Sequence, residues 1–427
     1  MFRGILLAAL LAAGGLLALP AQAALQIDIT GGADSGAPIA VVPFGGDAPV
    51  DLGAVVSADL ARSGRFAPMP EADMPERPQS LSEATPSLWR EAGMEYLLMG
   101  RARQTDSAWR VEFYLVDVNS GEDLIAHAIT APPSELRAVA HRISDLVFEK
   151  VTGIRGAFST RIAYVIEIRQ PDGERRYALE IADADGHGPK TVLESGRPIM
   201  SPTWSPDGRQ LAYVSFEGGS SGIWIQDLGS GDRYRLTDFP GINGAPAWSP
   251  DGERIALTLS GGGAPNIYVI DLQTRDMKQV TRGGAIDTEA AWMPDGEALL
   301  FTSNRSGQAQ VYMQRLDDRN ARRLSFDSPY MAGPAVSPDG KYFAGVVSGS
   351  GGFRVGVQNI ETGALRVISD QGHEERPSYA PNGVMLVYAT RERGRSVLRI
   401  SPATGGGHQT LSFDKGLVRD AAWGPYR

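Results

Sequence analysis

One short phrase returns five times between residues 202 and 383, at an almost fixed interval. It is read as Trp204-Ser-Pro-Asp207-Gly208, Trp248-Ser-Pro-Asp251-Gly252, Trp292-Met-Pro-Asp295-Gly296, Val336-Ser-Pro-Asp339-Gly340 and Tyr379-Ala-Pro-Asn382-Gly383. Successive Asp or Asn positions are 44, 44, 44 and 43 residues apart, and a broken sixth copy, Trp423-Gly-Pro425, comes at the end of the sequence. A period in the forties with strand patterns inside each unit predicts a β-propeller.

The unit from Pro246 shows the pattern. A first strand carries Trp248 and ends in a Ser-Pro-Asp-Gly turn, where Pro250 presets φ and Gly252 meets the turn's steric demand. Strand signals follow at Arg254 to Leu259, Ile267 to Leu272 and Lys278 to Thr281. Second strands recur at residues 162–165, 211–214, 299–302, 343–346 and 386–389, which makes six blades. The unit beginning at Arg161 has no first strand of its own, and the segment from Arg419 to Trp423 has a first strand and nothing after it. The expected closure seats that terminal strand in the first blade, which removes most of the edge-strand hazard.

Ahead of the repeats lie two further regions. Residues 1–23 have the form of a signal peptide, with Arg3, an apolar run from Ile5 to Leu19 and a small-x-small site at Ala21-Gln-Ala23. The mature chain is expected to begin at Ala24 and to be exported to the periplasm, with no membrane insertion. Residues 24–157 read as a small α/β domain, and 158–427 as the six-bladed propeller. In the α/β part, a buried strand is expected at Ile39 to Phe44. A helix carries Leu52, Val55, Val56 and Leu60, with Asp51 as N-cap and Gly64 past its end. Strands follow at Tyr96 to Gln104, Trp109 to Val118 and Asp123 to Ile129. A last helix carries Leu136, Val139, Ile143 and Val147 and stops at Gly153. The stretch from Pro70 to Pro86 reads as a loop.

The chain holds no cysteine, which excludes disulfides, thiol catalysis and cysteine metal sites. Without Arg3 the mature chain has 40 basic against 50 acidic residues, which argues against nucleic acid as a partner. The five histidines form no H-x-H or H-x-x-x-H pair, so no histidine metal site is expected. Gly218-Gly-Ser220-Ser-Gly222 matches a hydrolase pattern but lies in a hairpin loop, and Asp183-Ala-Asp185-Gly186 lacks the downstream Glu of a calcium loop. Both read as turns.

Because the first strand of each unit lies innermost, the loop leading into it opens at the channel mouth. These six loops differ in chemistry. They combine the hydrophobes Ile242, Ile286, Tyr330 and Met331, expected to be exposed, with the acids Asp287, Glu289, Glu374 and Glu375. An apolar and acidic rim suits a protein ligand with apolar anchors and basic groups.

The order of signal peptide, α/β domain and six blades resembles the TolB family of periplasmic β-propeller proteins of the Tol-Pal cell-envelope system. The resemblance rests on Asp34-Ser-Gly-Ala-Pro-Ile-Ala-Val-Val-Pro-Phe44, Val151-Thr-Gly-Ile-Arg-Gly-Ala-Phe158, Asn243-Gly-Ala-Pro-Ala-Trp-Ser-Pro-Asp-Gly252 and Ala422-Trp-Gly-Pro-Tyr426. It implies a non-enzymatic adaptor supporting outer-membrane integrity and cell division, without a cofactor, though a weakly held cation at the acidic channel stays open. It further implies that the mouth binds the lipoprotein Pal through Phe239, Ile242, Asn243, Gly244, Ala245, Asp287, Thr288 and Glu289, extending to Tyr330, Met331 and Glu374. Ile242 stands where some members have histidine. The flexible mature N-terminus, Ala24, Leu25, Gln26, Ile27, Asp28, Ile29 and Thr30, is implied to bind the C-terminal domain of TolA. Outer-membrane proteins are further candidate partners, and a monomer is expected. Residues 25–30 alternate like a segment able to add to a sheet edge, or to pack on the α/β domain. The competing class is a propeller enzyme with a metal in the channel, of lactonase type, for which Asp287, Glu289 and Asp420 would be the acids. A propeller-gated hydrolase would need a separate catalytic domain of roughly 200 residues, for which about 130 residues before the propeller leave no room.

Overall fold

In the computed structural model, residues 36–349, 351–413 and 416–427 are described, together with the backbone of Asp28–Thr30. The signal segment and Ala24 to Ile27 lie outside the described residues, as does Lys415 of the last mouth loop. Six antiparallel sheets, each with four strands from the repeat, form the propeller. In blade 1 the order is Leu417–Trp423, Arg161–Arg169, Arg175–Asp183 and Lys190–Ser195, so the terminal strand closes the ring as expected. Blades 2 to 6 begin at Ile199, Asn243, Asp287, Met331 and Glu375.

The repeated aromatic packs between neighbouring blades. Trp204 sits among Val165 and Leu179 of blade 1 and Leu211 and Tyr213 of blade 2, and Trp248 and Trp292 do the same one and two blades on. Trp204 donates to the carbonyl of Ala422 at 3.1 Å, and Trp292 to that of Ala247 at 3.0 Å, each tying one innermost strand to the preceding one. Arg161 and Arg254 lie over the rings of Trp204 and Trp292 at 5.0 and 4.8 Å. Each Ser-Pro-Asp-Gly turn is closed locally, Ser249 Oγ donating to Asp251 Oδ1 at 2.5 Å and the Glu253 amide to the same oxygen at 3.0 Å.

The α/β domain is one five-stranded sheet. Its order is Phe66–Pro68, Ala37–Val41, Tyr96–Gln104, Trp109–Asp117 and Asp123–Ala131, the first three parallel and the rest antiparallel. Helices α1 (Leu52–Arg62) and α3 (Leu136–Thr152) bury Val56, Leu60, Ile143 and Val147 against it. Asp51 Oδ1 caps α1 at the Ala54 amide, 2.9 Å away, and Gly153 ends α3 at φ 72°. Some short elements escape the sequence pattern, among them 3-10 turns at Glu71–Asp73 and Leu81–Glu83 within the expected loop. The strand Phe66–Pro68 is too short to show alternation. Helix α2 (Pro86–Glu91) follows the expected loop and has one fully buried residue, Trp89, so it leaves no periodic stripe.

The two domains share one apolar cluster, in which Ile143, Val147 and Phe158 meet Ile162, Met385 and Trp423 of blades 1 and 6. The contacts lie on the face that carries the Asp-Gly turns. Asn382 donates to the Arg155 carbonyl at 3.1 Å, and the Arg155 guanidinium stacks 3.8 Å from the Tyr426 ring. A Cβ on Gly64 would meet Pro402 at 2.5 Å. The mouth opens on the other face. Asp28–Thr30 pairs with the outer strand of blade 6, Ile29 opposite Gln409, as a fifth strand. Of the two arrangements open to that segment, its described part takes the sheet edge.

Candidate functional site

The same period that builds the blades places equivalent residues around the mouth. At or just before the start of each innermost strand stand Pro198, Ile242, Ile286, Tyr330, His373 and Leu417, spaced 44 or 43 residues apart. Ile242 and Ile286 are 49% and 48% exposed, Leu417 is exposed, and Tyr330 is half-buried with its ring edge-on to the exposed Phe353 at 5.3 Å. With the exposed Met200 and Phe239 they make an apolar collar. The collar is held from outside. Ser260 Oγ accepts the Ile242 amide at 2.7 Å and Asn304 Oδ1 accepts the Ile286 amide at 2.8 Å, both from hairpins of their own blades.

Below the collar each innermost strand carries a bulge, and the bulged residue has positive φ: Ser201 53°, Ala245 46°, Glu289 56°, Gly333 62°, Arg376 38° and Asp420 51°. A left-handed non-glycine residue costs on the order of 1 kcal/mol or more. Five of them in register mark a geometry that the ring imposes. The polar groups of this ring answer one another. Glu289 Oε2 accepts the Gly333 amide of the next blade at 3.0 Å and Thr302 Oγ1 at 2.9 Å. Asp420 Oδ2 accepts the Ser201 amide at 3.1 Å, and Arg376 lies 3.7 Å from Asp420 Oδ1 and donates to Ser201 Oγ. Arg376 and Ser201 belong to blades 6 and 2, which are not neighbours, so this contact crosses the channel beside blade 1.

The sequence-predicted residues therefore divide. Ile242 and Phe239 are exposed, and Tyr330 and Glu289 are half-buried. Gly244, Ala245 and Thr288 are half-buried along the innermost strands, Thr288 Oγ1 lying 3.2 Å from Thr258 Oγ1. Asn243 is fully buried, and its amide closes its own loop onto the Phe239 amide and carbonyl at 3.1 and 2.7 Å. Asp287 is fully buried under a two-pronged contact from Arg305 Nη2, at 3.0 and 2.9 Å. Glu374 is buried and accepts the Gln371 and Gly372 amides at 3.1 and 2.9 Å. Met331, expected as an exposed hydrophobe, is fully buried between blades 4 and 5 with Leu300, Val311 and Phe343, where Val336 replaces the repeated aromatic. Ile286, Leu417 and Met200 belong with the collar, and position within the 44-residue period is the signal that finds the first two. Asp28, Ile29 and Thr30 lie at the far edge of blade 6, away from the mouth.

Fold and site together define a propeller with an apolar-collared mouth, mounted on a small α/β domain that covers its opposite face. Residues 148–427 match the family model described as "TolB beta propeller domain", and residues 25–124 that described as "TolB amino-terminal domain". The Tol-Pal system protein TolB of Thioalkalivibrio sulfidiphilus is 56% identical over 418 residues, covering 96% of each chain. That of Xanthomonas campestris pv. campestris is 50% identical over 420 residues, covering 96% of this chain and 95% of its own. The crystal structure of TolB from Acinetobacter baumannii superposes with a TM-score of 0.88 at 40% identity, over 94% of this chain and all of that one. The chain belongs to the TolB family.

Proposed function

We propose that this protein is a non-enzymatic periplasmic adaptor of the Tol-Pal envelope system, taking Pal at the propeller mouth and the C-terminal domain of TolA on residues 24–30. The observation that carries the reading is the collar. Ile242, Ile286, Tyr330 and Leu417 present apolar anchors on the face left open by the α/β domain, around a channel wall whose polar groups are largely paired. Apolar anchors ringed by satisfied polar groups are the chemistry of a protein-binding patch. Of the acids that a channel-metal enzyme would use, Asp287 is held by Arg305 and Asp420 faces Arg376, which favours the adaptor over the lactonase-like reading. Glu289 takes Thr302 Oγ1 and the Gly333 amide on Oε2 and accepts no hydrogen bond on Oε1 among the described residues, so this carboxylate is the acceptor available to a basic or N–H group of Pal.

The test is calorimetric titration of the chain beginning at Ala24 with soluble Pal, beside Glu289→Lys. Binding by the parent and at least about a tenfold loss in the variant, with unchanged unfolding, supports the site; tenfold corresponds to about 1.4 kcal/mol. No binding by the parent refutes the adaptor reading, and unchanged affinity in the variant refutes the role of Glu289.

A further inference from the structure

A second cluster of charged groups lies where the α/β domain meets blade 1. Asp59 comes from α1, His141 from α3, and Asp185 from the turn that follows the Arg175–Asp183 strand. All three are buried, His141 being 2% exposed. His141 Nδ1 lies 2.7 Å from Asp59 Oδ2, which also accepts Ser144 Oγ at 2.7 Å. His141 Nε2 has no hydrogen-bond partner among the described residues, and its nearest charge is Asp185 Oδ2 at 3.7 Å. Each carboxylate is also engaged by a guanidinium. Arg62 donates to Asp59 Oδ1 and Arg137 to Asp185 Oδ2, while the His187 amide reaches Asp185 Oδ1 at 3.0 Å. Two guanidinium groups on two carboxylates leave no open ligand set for a cation. They leave an imidazole between two acids from two domains.

We infer that His141 is a protonation-dependent clasp: as imidazolium it bridges Asp59 and Asp185 and holds the α/β domain onto blade 1, and on losing its proton it loosens that joint. The groups facing it are Asp59 and Arg62 from α1, Arg137, Ser144 and Asp145 from α3, and Asp185 and His187 from the blade 1 turn. Burial disfavours the charged ring and Arg62 opposes it, yet Asp59 and then Asp185 outweigh both, so its pKa lies above the ordinary 6.5. The partner answers in kind. Burial would raise the Asp185 carboxyl, but His141, Arg62 and Arg137 hold its pKa down at about 2.

The sign follows from linkage. A histidine with a raised folded pKa contributes its full stability below about 6.5 and loses it as pH rises through the folded value. Between those two pH values the folding equilibrium falls by up to about tenfold per pH unit. His187 and His408 are pulled down, chiefly by burial, so they titrate on the acid side with the opposite sign. The clasp also has a far end. Arg62 Nη1 donates to Gln409 Oε1 at 3.0 Å, and Gln409 is the cross-strand partner of Ile29. The joint is thus wired to the strand that carries the N-terminal segment.

The experiment is NMR titration of the imidazole resonances in the mature chain and in His141→Gln. Hydrogen exchange of residues 137–145 and 183–187 would be measured at pH 6 and pH 9, corrected for intrinsic rates. The inference expects one imidazole titrating above 6.5 that is missing from the variant. It also expects joint exchange that accelerates at least about tenfold at pH 9 in the parent and is fast at both pH values in the variant. A His141 titration at or below 6.5, or parental joint exchange that ignores pH, overturns it. Should the variant fail to fold, the parent's titration decides, with His141 assigned by replacing the exposed His127 and His373 and by backbone connectivity.

Discussion

Arg305→Ala should be among the most costly single changes at the mouth, although the residue makes no part of the collar. Its guanidinium donates from Nη2 to both oxygens of Asp287, from Nε to Ser303 Oγ at 2.9 Å, and lies 5.3 and 4.9 Å from the Phe301 and Tyr312 rings. Breaking a buried pair by removing one partner costs about 3–5 kcal/mol, because the other charge is left without compensation. Asp287 is fully buried, but the Arg305 side chain is 28% exposed, so water can reach the carboxylate once the arm is gone. That brings the electrostatic loss to or just below the lower end of that range, at about 2–3 kcal/mol, and the lost ring contacts add about 0.5–1 kcal/mol. Asp287→Asn in the same background removes the stranded charge and should restore about 1–2 kcal/mol, so the two changes are far from additive. Urea unfolding of the parent, both single variants and the double variant measures this. Because Asp287 directly follows Ile286 of the collar, Arg305→Ala should also weaken the proposed Pal binding by about tenfold, or 1.4 kcal/mol. An Arg305→Ala variant within about 0.5 kcal/mol of the parent, or strict additivity with Asp287→Asn, would refute the reasoning.

Two further outcomes follow from the blade joints and the sheet edge. Trp292→Phe removes a donor to the Ala247 carbonyl, whereas Trp248→Phe removes a buried Nε1 that has no partner among the described residues. The first should cost about 1 kcal/mol more than the second, and equal shifts in thermal midpoint would contradict the pairing. Deleting residues 24–35 uncovers the outer strand of blade 6, so the amides of His408–Leu411 should exchange at least about tenfold faster; unchanged protection would show that this edge does not carry the segment in solution.

Much of the architecture was legible because it is local and repeated. A propeller blade is a meander of adjacent strands, so period-2 alternation and the Ser-Pro-Asp-Gly turn place each element within a residue or two of where it forms. The strands at Tyr96 and Trp109 and both long helices were legible for the same reason, with Asp51 and Gly153 as their end signals. The strand Phe66–Pro68 and helix α2 were not, since neither is long enough to show a period. At the mouth the sequence located the loops but not their inward and outward faces. Asp287, Glu374 and Met331 are all of a kind to decorate a rim, and burial is decided by what lies opposite: Arg305, the Gln371 and Gly372 amides, and the gap left by Val336.

Six blades, their closure by the terminal strand and the identity of the mouth loops all follow from spacing along the chain. Which mouth side chains reach solvent, the meeting of Arg376 with Ser201 across the channel, and the convergence of Asp59, His141 and Asp185 emerge from packing in three dimensions. Those contacts join residues 44 to 175 positions apart, and no local pattern encodes them. The free energy of such groups is set by neighbours that arrive only when the ring closes and the α/β domain docks.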